Sequence, residues 1–247
     1  MTVKHLIFDL DNTLYPATSK MDDGITRRMI TFVADWLKTD RAHAEILRAE
    51  GLPRYGTTLE WLMQEAGLQD IEAYFRAVHP EEEAEELDEN PELRPFLQSL
   101  LASGLTFSVL SNAPIEHVER VLRKLNIIDL FSRLTDIRAC HLRGKPYKSA
   151  YETALHAAGA TLENTLFFDD HIKYTDGFAA LGGNAVLVGR ISLPVDSIHG
   201  SASEEKSADA KRWENEAIFS ESKLSGKIFH ISSIFDVKNL LQQISFL

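Results

Sequence analysis

A chain of 247 residues can bury a sizeable core, as one large domain or as a domain with an appendage. Its formal net charge of -11, without a basic run or tail, argues against broad nucleic-acid or anionic-membrane binding. The single cysteine, Cys140, allows no intrachain disulfide, no apolar run approaches a membrane span, and no signal peptide precedes the first strand pattern, so a cytoplasmic location is expected.

The first element, "HLIFDL" (5–10), is an apolar run that reads as a buried strand, yet Asp9 lies within it and Asp11 just beyond. Carboxylates are rarely buried without a partner, so this placement points to chemistry. An acid at a strand end is a nucleophile on a rigid support. A second acid two residues on reaches the same centre from the following turn, which suits acid/base plus covalent catalysis.

Residues 17–95 carry helical patterns and no convincing strand, and they return near "NPELRPFLQSLL". The acidic run at 80–90 is expected to be a solvated face or linker. Trp36, Trp61 and Phe75 are expected to pack between helices, whereas Tyr55, set among turn residues in "PRYGTT", is a candidate substrate contact.

Beyond the insert, strand patterns recur at 105–112, 134–139, 165–170, 184–189 and 227–232, and helical patterns at 115–126, 147–159 and 236–244. This alternation predicts an α/β fold, a doubly wound parallel sheet with a Rossmann-like core over 1–16 and 96–247. A helical cap, 17–95, is inserted after the first strand, and a polar surface insertion occupies 190–226. Ligands of such sheets bind beyond the carboxyl ends of the strands, which aligns Asp9, Asp11, Ser111, Asp169 and Asp170 along one edge. A phosphate approaching those acids would meet about 4 kcal/mol of repulsion per charge pair at ~4 Å and an effective dielectric near 20. A divalent cation is therefore required, and an all-oxygen ligand set points to Mg²⁺.

Four stretches in order, "FDLDNTLYP", "FSVLSNA", "RGKPYKSAYETAL" and "TLFFDDH", resemble the four motifs of the haloacid dehalogenase superfamily, in its phosphatase branch. The resemblance spans nearly the whole chain. It implies that Asp9 attacks phosphorus, and that Asp11 protonates the leaving oxygen and then activates water. It also implies that Ser111, Asn112 and Lys145 hold the phosphoryl group. Asp9, the Asp11 carbonyl and Asp170 would bind the metal, with Asp169 as a further ligand or one shell out. The dehalogenases of the superfamily need only the first Asp and no metal, so the second acid favours phosphoryl transfer.

The fourth motif departs from the usual pattern. His171 stands where a small residue is usual and Tyr174 where Asn or Asp is usual; Asp176 is a candidate to compensate, or to cap a helix starting near Gly177. Within the insert, "YPATSKMDDGITRRMITFV" and "GLPRYGTTLEWLM" resemble the pyrimidine 5'-nucleotidase-like group. The resulting expectation is a Mg²⁺-dependent phosphatase for a small phosphorylated metabolite such as a nucleoside monophosphate. A sugar-phosphate or phosphoglycolate phosphatase, or a non-catalytic phosphate-binding module, are the alternatives.

Overall fold

The computed structural model describes residues 2–16, 19–189 and 226–245. The expected surface insertion, apart from Gly226, lies outside the described residues.

The apolar runs form the strands. β1 (His5–Phe8), β2 (Thr106–Leu110), β3 (Arg133–Thr135), β4 (Thr165–Asp169), β5 (Asn184–Val188) and β6 (Ile228–Ile231) make one sheet in the order β3-β2-β1-β4-β5-β6. Every pairing is parallel. Both faces are covered, which is why the strands show little polar alternation. Leu6, Phe8, Phe107, Leu166, Phe168 and Val186 fill one side, while Ile7, Phe167 and Ala185 meet Tyr151 and Phe178 on the other. Phe8 stacks on Phe168 with ring centroids 4.8 Å apart and meets Phe107 edge-on at 5.6 Å, fixing the centre of the sheet. Strand β3 stops at Thr135, short of the expected 139, because Asp136 turns the chain: its carboxylate accepts from the backbone N–H of Ala139 and of Ile115.

Between β1 and β2 the described residues are helical: α1 (Lys20–Leu37), α2 (Arg41–Gly51), α3 (Thr58–Glu65), α4 (Ile71–Val78) and α5 (Leu93–Leu101). The first four start at side-chain caps, where Ser19, Asp40, Thr57 and Asp70 each accept from the backbone N–H three residues on. The helix α5 runs unbroken through the expected return point at 95/96. The core continues with α6 (Ile115–Lys124), α7 (Lys148–Ala158), α8 (Ile172–Ala180) and α9 (Val237–Ser245). Among the described residues no helix is long and apolar enough to cross a membrane.

One polar device sits in the sheet itself. Buried His5 meets Thr106 Oγ1 at 2.7 Å and Ser108 Oγ at 2.8 Å, tying β1 to β2 across the lower end of the sheet. Burial lowers its pKa from 6.5 to about 4. The folded value lies below the unfolded one, so the stability present above pH 6.5 is lost as the pH falls toward about 4. Urea melts across that interval should show a His5→Gln variant losing less stability than the wild type; parallel losses would mean that His5 charges freely in the fold.

Candidate functional site

Register brings the first acids together. Phe8 of β1 pairs with Phe168 of β4, and the Asp9 backbone N–H still donates to the Phe168 carbonyl at 2.8 Å. Asp9 and Asp169 therefore leave adjacent strand ends side by side, about one strand spacing of ~4.8 Å apart. Asp170 follows at once, and oxygens of Asp9, Asp169 and Asp170 lie within 4.8 Å of one another. After Asp11 the chain turns through Asn12, whose left-handed φ of 64° a short polar side chain tolerates.

Lys145 holds two of these acids. Its buried Nζ donates to Asp9 Oδ1 at 2.6 Å and to Asp169 Oδ2 at 2.7 Å. Burial opposes the charge on Lys145, but Asp169 and Asp9 outweigh it and raise its pKa. Burial, with repulsion from neighbouring carboxylates (Asp11 for Asp9, Asp9 for the other two), raises all three acids against the pull of that one lysine, Asp170 to about 7. Asp169 is spoken for at both oxygens, since Oδ1 accepts from the His171 backbone N–H at 2.8 Å. Asp170, among the described residues, has no ion-pair partner and lines a cavity. Three carboxylates facing one ammonium leave excess negative charge in an all-oxygen set, which fits a hard divalent cation.

A backbone clamp positions Lys145. Asn112 Oδ1 accepts from the Lys145 backbone N–H at 2.7 Å, and Asn112 Nδ2 donates to its carbonyl at 3.0 Å. The Asn112 side chain thus holds the lysine's main chain, and Asn112 also lines the cavity. Buried Ser111 lines the cavity, its Oγ accepting from the Ala113 N–H at 3.0 Å.

Asp11 stands slightly apart. Its Oδ1 accepts from the Tyr15 hydroxyl and from His117 Nε2 at 2.8 Å. His117, fully buried in the first turn of α6, turns its Nδ1 to Glu83 Oε1 at 2.7 Å. Burial alone would lower the His117 pKa, but Asp11 and Glu83 raise it to about 10. Burial would raise Asp11, yet His117 and Tyr15 leave it lowered. Sequence reasoning missed both partners. His117 carried one signal, a histidine beside Val118 and Val121 on the apolar side of α6. Glu83 carried none, for it lies in the acidic run expected to be solvated but is 1 % exposed.

A cavity of about 540 Å³ runs from this cluster up into the insert, where Arg48, Tyr74 and Phe75 help to wall it. The 55–60 loop of the insert closes one side against the core. There Tyr147 donates to Glu60 Oε1 at 2.5 Å, Tyr174 to the Gly56 carbonyl at 3.1 Å, and Lys173 Nζ to the Tyr55 carbonyl at 3.0 Å. Tyr55 does not line the cavity: its ring is buried within the insert and its hydroxyl donates to Glu65 at 2.9 Å, so it offers no face for stacking. Trp61 is buried as expected, Phe75 both packs and faces the cavity, and Trp36 is exposed instead, stacked on Phe32 at the surface. Tyr174 takes its unusual place as a bridge, lying 5.1 Å from Lys145 Nζ at the ring centroid while its hydroxyl reaches the insert. His171 caps α8, accepting from Lys173, so Asp176 lies inside that helix and caps nothing; nor does it line the cavity.

A model of the haloacid dehalogenase-like hydrolases matches residues 3–182. Haloacetate dehalogenase H-2 of Moraxella sp. (strain B) is 26% identical over 108 residues, 44% of this chain and 48% of that protein, so the match spans about half the length of this relative. The L-2-haloacid dehalogenase of Xanthobacter autotrophicus superposes with a TM-score of 0.58 at 19% identity, covering 98% of this chain and 99% of that one. A phosphatase of Thermococcus onnurineus gives 0.58 at 15% identity, over 97% and 98% of the two chains. At such identities the likeness is one of fold.

The clamp can be tested through Gly144. A methyl group there would come 2.0 Å from Asn112 Oδ1 and 2.7 Å from Ile137 Cδ1, and Asn112 cannot yield without releasing Lys145. Gly144→Ala should lower stability in urea by ~1–3 kcal/mol. An unchanged midpoint would show that the clamp bends freely.

Proposed function

The chain belongs to the haloacid dehalogenase-like hydrolases, and within that family we propose that it is a Mg²⁺-dependent phosphatase acting on a small phosphomonoester. The observation that carries this reading is the second acid. Asp11 sits two residues from Asp9, lines the same cavity, and has its own buried donors in His117 and Tyr15. Halide departs from carbon without a proton, whereas the leaving oxygen of a phosphate ester needs one, and an acid two residues from the nucleophile is placed to supply it.

In the proposed reaction an Asp9 oxygen attacks phosphorus and the ester oxygen departs with the proton of the Asp11 carboxyl. Water then attacks the aspartyl phosphate, Asp11 recovers a proton, and inorganic phosphate leaves with Asp9 restored. The incoming phosphate dianion raises the proton affinity of Asp11, which readies it for the first step. Lys145 Nζ, Ser111 Oγ and the backbone N–H groups beyond β2 hold the transferring oxygens, so the protein contributes position and charge. Asp9, Asp170 and the Asp11 carbonyl would hold Mg²⁺, with Asp169 fixed behind them by Lys145 and the His171 N–H. When bound there, Mg²⁺ supplies the positive charge that lets a phosphate approach three carboxylates. The helical insert acts as a cap. Its Arg48, already bonded to Thr58 Oγ1 at 3.0 Å, and its Tyr74 and Phe75 face the leaving group, which makes nucleoside monophosphates the first class to test.

The haloacetate dehalogenase relative supports a second reading, halide release from 2-haloacids, and one screen separates the two. Phosphate release from aryl and nucleoside phosphates should appear with Mg²⁺, and halide release from haloacids should not; the reverse would establish the dehalogenase. Chelation should stop turnover and Mg²⁺ restore it, with the larger Ca²⁺ restoring it poorly. Asp9→Asn should abolish phosphate release while leaving the fold intact. More than a few per cent of residual turnover, with deamidation excluded, would remove Asp9 as nucleophile.

A further inference from the structure

The His117–Glu83 pair has no part in binding substrate as described above, yet it is held by several buried polar contacts. His117 Nε2 meets Asp11 Oδ1 at 2.8 Å and Nδ1 meets Glu83 Oε1 at 2.7 Å, so the ring is held between two carboxylates and cannot turn without losing both. Glu83 is itself fixed. Arg120 Nη2 donates to its Oε1 at 2.8 Å, His79 Nδ1 meets its Oε2 at 2.9 Å, and Arg28 Nη2 approaches that oxygen at 3.7 Å. His117 and Arg120 belong to core helix α6, Arg28 to α1 of the insert, and Glu83 to the short 3-10 turn Glu83–Glu86 where the insert returns. The ligand atoms of His79, Glu83 and His117 lie within metal-binding reach of one another. With two guanidinium groups already at Glu83, this is a hydrogen-bonded knot and not a second cation site.

We infer that His117, anchored by Glu83, is a positioning residue for Asp11: it sets where the second acid stands, and makes that placement depend on how the returning insert is seated on α6. The inference rests on the phosphatase reading. The two halves of that reaction use Asp11 unequally when the leaving group is a good one. An aryl oxide departs with little help from an acid, so kcat/KM for an aryl phosphate reports formation of the phosphoenzyme. Hydrolysis of the aspartyl phosphate still needs Asp11 in place to take a proton from water, and it then sets kcat. A mispositioned Asp11 splits the two constants, which a general loss of folded protein does not do.

The test uses the full chain with Mg²⁺ and p-nitrophenyl phosphate. His117→Leu should lower kcat about 10- to 100-fold, a fraction of the roughly 10²- to 10⁴-fold that a positioned acid/base group supplies, with kcat/KM within about threefold. Alkali-labile, protein-bound phosphate should accumulate in that variant. His117→Gln, whose amide nitrogen reaches toward the Nε2 position, should recover most of kcat. Should the Leu variant fail to fold, Glu83→Gln carries the test, since it loosens the anchor while His117 stays, and it should show the same split at smaller amplitude. Equal losses in kcat and kcat/KM, or no change in either, would overturn the positioning role alone. A wild-type protein that turns over no phosphomonoester would overturn the phosphatase reading and this assignment with it.

Discussion

The ammonium group of Lys145 between Asp9 and Asp169 is the contact on which the site depends. Removing either carboxylate from water without it would cost several kcal/mol. The lysine offsets part of that cost and leaves the rest as a local excess of negative charge beside Asp170. Such an excess is a stored demand for a cation. It can be sustained only because the strands that carry it are locked by apolar packing on both faces, where Phe8, Phe107 and Phe168 fill one side and Phe167, Tyr151 and Phe178 the other.

Precision reaches the lysine through its backbone. Asn112 bonds both main-chain polar groups of Lys145, and Gly144 leaves the room that this closeness needs. One strand end thus holds another loop in place. A different logic joins the insert to the core. On one side, Glu60, Gly56 and Tyr55 meet Tyr147, Tyr174 and Lys173. On the other, Glu83 is shared among α1, α6 and the returning turn. The cavity lies between these two seams, so polar contacts hold its ceiling at two edges, beside an apolar cluster that runs through insert and core alike.

Much of this was legible in the sequence because the signals are local. Apolar runs with strand length predict the strands of the sheet, helical patterns predict the insert between the first two, and acids at strand ends mark the candidate site. What was not legible depends on distant partners. That the amide of Asn112 holds the main chain of Lys145 at both its ends cannot be read from the sequence. Tyr55 reads as an exposed turn residue until Glu65 takes its hydroxyl. Glu83 is indistinguishable from its acidic neighbours, since only the fold shows that two arginines and two histidines converge on it. The tyrosine at 174 looked like a defect in the fourth motif, and in three dimensions it is a strut to the insert.

The pairing of Phe8 with Phe168 has a further consequence. The hydrogen-bond ladder that sets the hydrophobic layers also sets the spacing of Asp9 and Asp169, so the two share one source of error. A slip of a single residue between β1 and β4 would turn Ile7 toward the side now filled by Phe8, and would carry Asp9 off the edge in the same movement. A slip of one residue cannot keep the layers and lose the acids. Quality control that rejects a poorly packed sheet therefore rejects a poorly assembled reaction centre as well. Selection on core fit and selection on chemistry act here on one geometric variable.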